Sequence, residues 1–188
     1  HEVRDGLVNG LALGKSVLNM FSYTAAFSVA AAMGGAVETT SVDLAKRSRE
    51  LSTAHFEANG FSMDNHRLVV MDVFDYFKYA KKKGLSYDLI VIDPPSFARN
   101  KKRTFSANKD YHKLIAQSLD ILSEHGTIIA STNAANMTVQ QFKKQLRKGL
   151  GDVSADFVNL QQLPADFTVN PNDPSSNYLK VYTIKVNK

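Results

Sequence analysis

Residues 93–105 gather four kinds of chemistry in one short span: the carboxylate of Asp93, the rigid pair Pro94-Pro95, the ring of Phe97, and a run of cations. Two consecutive prolines have no N–H to donate and cannot continue a central strand, so the apolar stretch "YDLIVI" ends at Asp93. A carboxylate and a fixed Pro94 carbonyl at a strand end can accept hydrogen bonds from a ring N–H or an amino group. An aromatic ring two residues on can stack against a base. Arg99, Lys101, Lys102, Arg103 and Lys109 then follow, with no acid between residues 99 and 109. Of the 23 Lys and Arg residues, these five leave 18, equal to the 18 Asp and Glu, so the whole net charge of +5 is a local basic patch. Such a patch suits phosphate contacts, and its plain alternative is a solvated loop.

Polar residues recur where other apolar segments end. "NMFSYTAAFS" follows the first segment, with Asn19, Phe21, Ser22, Tyr23, Thr24 and Ala25 in the place of a nucleotide loop. It contains no glycine and so lacks the G-x-G-x-x-G pattern, though small residues permit close approach by a ligand. Asp43-Leu44 ends the second segment, where an acid can accept from both hydroxyls of a ribose or can cap the following helix. Asp72-Val73 ends the third, suited to an adenine amino group and ring face, or again to a cap. Asn133 ends the fifth as an amide or a turn residue.

These positions need a scaffold that brings strand ends together. Apolar spacing predicts strands over 15–21, 36–43, 66–72, 87–93, 126–132, 157–160 and 178–186. Helical spacing covers 25–35, 44–59, 73–84, 111–122 and the stretch marked by Val139, Phe142 and Leu146. Five β–α repeats followed by two late strands predict an α/β sheet with helices on both faces. In such sheets ligands bind at the carboxyl ends of the strands. Residues 163–177 read as a long surface loop between the last two strands.

Composition narrows the setting. A chain of 188 residues, 44% hydrophobic and 22% charged, fits one globular domain. No apolar run approaches the ~20 residues of a membrane span, so no membrane is expected. There are no cysteines, which excludes disulfides, thiolate metal sites and cysteine nucleophiles. No metal is expected, and a reducing cytoplasm is the simplest compartment. The first residue is His1 rather than Met, so a piece of a longer protein is expected.

Acid at strand two, acid at strand three and Asp-Pro-Pro at strand four, in that order, resemble class I S-adenosylmethionine-dependent methyltransferases. "VLNMFSYTAAFSVAAAMGGA", "SVD", "MDVFDYF", "YDLIVIDPPSFARNK" and "LPADFTVNPNDPSSNYLKVYTIKV" are similar to the bacterial members that act on 23S ribosomal RNA. The resemblance covers almost the whole chain. It implies a Rossmann-like fold: a seven-stranded, mostly parallel sheet with an antiparallel last strand. It implies S-adenosyl-L-methionine as cofactor, S-adenosyl-L-homocysteine as product and ribosomal RNA as partner. It places the donor around Asn19, Phe21, Ser22, Tyr23, Thr24 and Ala25, with Asp43-Leu44 on the ribose and Asp72-Val73 at the adenine end. Asp93, Pro94, Pro95 and Asn133 then stand between donor and target base. Phe97 would stack the flipped base, and Arg99, Lys101, Lys102 and Arg103 would hold phosphates. Relatives usually carry an N-terminal RNA-binding domain before this one. The family has Gly where this chain has Ala25, so a methyl crowding the methionine end is expected there.

Methylation of cytosine carbon-5 ordinarily needs a cysteine thiolate, and this chain has none. Ser131-Thr132-Asn133 matches the branch that modifies a guanine nitrogen. A base nitrogen, guanine favoured, is therefore the expected target. The alternatives are a small-molecule methyltransferase on the same fold, or a non-catalytic module that binds donor or RNA.

Overall fold

The computed structural model describes residues 2–161 and 179–188. The expected loop over 163–177 lies outside them. The main sheet contains β1 (Ser16–Met20), β2 (Glu38–Asp43), β3 (His66–Val70), β4 (Tyr87–Ile92), β7 (Leu122–Thr132), β8 (Ala155–Gln161) and β9 (Lys180–Val186). A separate hairpin is formed by β5 (Phe97–Arg99) and β6 (Thr104–Ser106). The helices are α1 (Glu2–Leu11), α2 (Ala26–Met33), α3 (Lys46–Ala58), α4 (Val73–Lys83), α5 (Ala107–Leu119) and α6 (Val139–Leu150).

The strand order is β3-β2-β1-β4-β7-β9-β8. Pairing is parallel from β3 through to β7, and β9 runs antiparallel to both β7 and β8. This is the Rossmann-like class I arrangement implied by the motif order. The chain winds outward from β1 to β3 and returns to β4 on the other side of β1. The switch point therefore lies between β1 and β4, and the cleft opens there.

Strands buried on both faces explain the unbroken apolar runs. In β4, Leu89 and Val91 pack with Val8, Ala12, Phe27 and Ala31 of α1 and α2. Ile90 and Ile92 pack on the opposite face with Phe77, Leu114, Ile115 and Phe142 of α4, α5 and α6. In β9 the alternation is the same, with Val181 on the first face and Tyr182, Ile184 and Val186 on the second.

Two elements were absent from the sequence reading. Residues 2–11 form α1, which docks across α2. Gly34 makes that docking possible, since a Cβ there would lie 2.1 Å from the Asn9 carbonyl oxygen. Residues 97–106 form a hairpin where a basic loop was expected.

Candidate functional site

The loop after β1 turns through left-handed backbone without a glycine. Phe21, Tyr23 and Ala25 have φ of 60°, 47° and 59°. Each such residue costs about 1 kcal/mol or more, so the surroundings must hold the loop. They do. The Asp43 Oδ2 accepts from the Tyr23 N–H at 2.9 Å, and its Oδ1 accepts from the Ala45 N–H at 3.0 Å. The hydroxyls of Ser48 and Ser52 on α3 both donate to the Tyr23 carbonyl, and the His55 Nδ1 donates to the Thr24 carbonyl at 3.2 Å. Ala25 is fully buried, and its methyl lies in a cluster with Val29, Ala32 and Phe56. Burying one methyl is worth about 0.8 kcal/mol, which offsets much of the strain where the family has Gly.

Asp72 caps α4 by accepting the Asp75 N–H at 3.1 Å. Its other oxygen accepts from Asn100 Nδ2 at 2.8 Å, and Arg103 Nε stands 3.5 Å away as an ion pair. Asp75 is met by Lys102 Nζ at 2.6 Å and Arg103 Nη2 at 2.9 Å. The hydrogen bond from Lys102 holds the Asp75 carboxyl below its ordinary value against a weaker effect of burial, with the Lys102, Arg103 and Lys78 charges adding to it. The hairpin is thus tied to the start of α4. Asn100 closes its turn, its Oδ1 accepting from the Lys102 and Arg103 N–H groups. Ala98 and Phe105 sit opposite each other on the inner face, and Phe105 contacts the rings of Phe21 and Phe74. Phe97 and Arg99 face outward, Phe97 at 60% exposure.

Asp93 ends β4 in a different environment. Its Oδ1 accepts from Arg4 Nη1 and from Ser131 Oγ, both at 2.5 Å. Arg4 is 4% exposed and lies over the Phe27 ring. The Tyr111 hydroxyl, fully buried, donates to the Ser131 carbonyl at 2.7 Å, with the Ile92 carbonyl sharing that hydrogen at 3.2 Å, and so ties β7 to β4 beside it. Burial pushes the Tyr111 phenol up, and the Asp93 charge adds to this.

A cavity of about 400 Å³ opens at this rim. Phe21, Tyr23, Asp43, Leu44, Asp72, Val73, Asp93, Pro95 and Arg99, all chosen from sequence, line it, joined by Ala98 and Asn100. Carboxylate acceptors at three strand ends and walls from Phe21, Leu44 and Val73 fit the hydroxyls, amines and flat ring of an adenosyl donor. A larger cavity of about 480 Å³ opens at the amino ends of β2 to β4, lined by Glu38, His66 and Arg67 among others. It contains none of the strand-end groups, so the smaller cavity is the candidate site.

Other expected residues fall outside that lining. Asn19 is buried, donating to Ser28 Oγ at 3.1 Å. Ser22 is buried, its N–H on the Val42 carbonyl. Pro94 is buried behind Pro95, and Asn133 is exposed just past β7. Thr24, Ala25, Phe97 and Lys101 are also outside it; among the described residues Lys101, like Arg99 in the lining, makes no ion pair, whereas Lys102 and Arg103 are engaged with Asp75. The residues that sequence reasoning missed are Arg4, Ser131, Asn100, Ser48, Ser52 and His55, which hold the others in place.

Comparison with known proteins identifies the family. The family profile described as S-adenosylmethionine-dependent methyltransferase matches residues 3–181. YwbD of Bacillus subtilis, whose name assigns it provisionally to the ribosomal RNA large subunit methyltransferases, is 46% identical over 97% of this chain and 47% of its own length. Ribosomal RNA large subunit methyltransferase K of Neisseria meningitidis serogroup B is 35% identical over 85% of this chain and 44% of its own. The crystal structure of SMU.776 complexed with SAH superposes with a TM-score of 0.94 at 72% identity, over 98% of this chain and 48% of that one. The chain spans about half the length of the curated relatives it matches.

Proposed function

This chain belongs to the S-adenosylmethionine-dependent methyltransferase family, and we propose that it is the catalytic domain of an enzyme methylating a base nitrogen of 23S ribosomal RNA, guanine favoured. The observation that carries this reading is one rim where the donor-side acids Asp43 and Asp72, the strand-four acid Asp93 and a basic hairpin bearing Phe97 all meet. The relatives' names support ribosomal RNA, and the SAH bound to SMU.776 supports the cofactor and its demethylated product, S-adenosyl-L-homocysteine.

When bound, S-adenosyl-L-methionine supplies a methyl group on a positively charged sulfur. The protein's task is alignment, because in-line transfer to a nitrogen needs no covalent bond to the enzyme. Asp43 accepts the ribose hydroxyls with lone pairs left over from the Tyr23 and Ala45 N–H groups. Asp72 and Val73 take the adenine end. Asp93 and the Pro94 carbonyl accept the N–H of the target base and so direct its lone pair toward the donor. Phe97 stacks the base once it has left its helix. Arg99 and Lys101, two patch cations with no ion pair among the described residues, hold phosphates. The lack of cysteine favours a nitrogen over cytosine carbon-5. Among the described residues no helix is long and apolar enough to cross a membrane, and we place the protein in the cytoplasm with its RNA.

Calorimetry with S-adenosyl-L-methionine, followed by transfer of labelled methyl to 23S rRNA and to small acceptors, tests this reading. Donor binding with label on rRNA is expected. Label on small acceptors alone would replace the RNA assignment, and no donor binding would refute enzymatic function.

A further inference from the structure

The α1 helix carries a residue that reaches into the reaction rim from behind the sheet. Val8 and Ala12 bury one side of α1 against Val17 and Ala31, and the Asn9 amide donates to the Ala30 carbonyl. That docking delivers Arg4 to the carboxyl end of β4, almost wholly buried, with its guanidinium over Phe27. A buried arginine–carboxylate pair is poor evidence for stability, because desolvation cancels much of its attraction. Geometry gives it a clearer use.

Arg4 Nη1 donates both to Asp93 Oδ1 at 2.5 Å and to Ser131 Oγ at 3.2 Å. Accepting a hydrogen bond from Arg4, the Ser131 hydroxyl turns its own hydrogen to the same Asp93 oxygen. Both donors therefore hold Oδ1. Asp93 Oδ2 accepts nothing from the described residues, while Asp93 lines the rim cavity. The χ2 torsion of aspartate is soft and roughly two-fold, so an unheld carboxylate exchanges its oxygens freely. Among the described residues, Asp5 on α1, whose carboxyl burial pushes up, and Tyr111 on α5 also interact electrostatically with Arg4 and Asp93.

We propose that Arg4 and Ser131 are positioning residues that lock Asp93 through one oxygen and present the other as a fixed acceptor for the target base. This rests on the methyltransferase reading above. Misplacing a reacting group by an ångström can cost on the order of 100-fold in rate. Arg4→Met is accordingly expected to lower kcat for methyl transfer to 23S rRNA on the order of 100-fold, with little change in the Kd of S-adenosyl-L-homocysteine. Arg4→Lys, which keeps the charge, is expected to restore part of the rate.

The decisive comparison is a cycle of Arg4→Met, Asp93→Asn and the double variant in the 188-residue chain, with melting temperature recorded for each. If Arg4 acts through Asp93, the double variant is no slower than Asp93→Asn alone, and the Arg4→Met loss exceeds any fall in folded protein. Independent, multiplying losses would overturn the proposal, as would a rate loss that merely tracks unfolding. A wild-type chain that binds donor and transfers methyl, with Arg4→Met equally fast, would overturn this inference and leave the activity standing. A wild-type chain that binds no donor would remove both.

Discussion

Two arginine–aspartate pairs flank the same cleft, and they are built differently. Arg4 meets Asp93 at 2.5 Å, with both side chains largely buried and the arginine carried on a helix fixed by close backbone approach. Arg103 meets Asp72 at 3.5 Å, 27% exposed, from a short hairpin whose cations also serve Asp75. The buried pair fixes a geometry. The second pair is half-buried through its arginine and lies at the turn of a basic element, where phosphate can compete for the cation. One cleft thus joins a rigid acceptor wall to a clasp that can give way.

The sharpest contrast comes from cutting each arginine. Where Arg4→Met costs on the order of 100-fold in transfer rate, Arg103→Met should weaken donor binding by no more than about fivefold, as for a long, partly exposed pair. Equal effects in a side-by-side assay of rate and donor Kd would erase the distinction. Between these falls Asp43→Ala, which removes a charged acceptor and one strut of the 21–25 loop. Calorimetry should show donor binding about 10- to 100-fold weaker, with the RNA affinity unchanged.

Smaller effects probe the clasp. Arg99→Gln and Lys101→Gln should each reduce the salt dependence of RNA binding by about one unit of slope, because neither cation makes an ion pair among the described residues. Lys102→Gln should change it less, since Asp75 already holds that cation. The smallest effect is on stability. The Asp75 carboxyl is held below its ordinary value of 3.8, so its contribution is complete above that pH and is lost as pH falls through the lower folded value. Asp75→Asn should therefore melt below wild type at pH 7, with a smaller gap at pH 3. A gap that is the same at both values would mean that the pair contributes nothing.

The acids at the strand ends were legible because alternation in a doubly covered sheet marks where each strand stops. "YDLIVID" names its own end, and Asp43 and Asp72 follow by the same logic. The helper residues were harder to read. Arg4, Val8, Leu11 and Ala12 share one helical face, and a cation on an otherwise apolar stripe was the available signal for Arg4. In the basic segment, Ala98 and Phe105 alternate with exposed neighbours, but charge hid the hairpin. The left-handed turns at Phe21, Tyr23 and Ala25 carry no sequence mark, since glycine is what ordinarily announces them. Ser48, Ser52 and His55, which hold that loop, are ordinary helix residues until the fold brings them beneath it.

This cleft, we propose, directs a methyl group to a nitrogen of ribosomal RNA. Mass spectrometry of nucleosides from 23S rRNA, in cells with and without the full-length gene, tests it most directly. The loss of one N-methylated base, guanine first, is predicted. The loss of 5-methylcytidine, or an unchanged nucleoside profile, would contradict it.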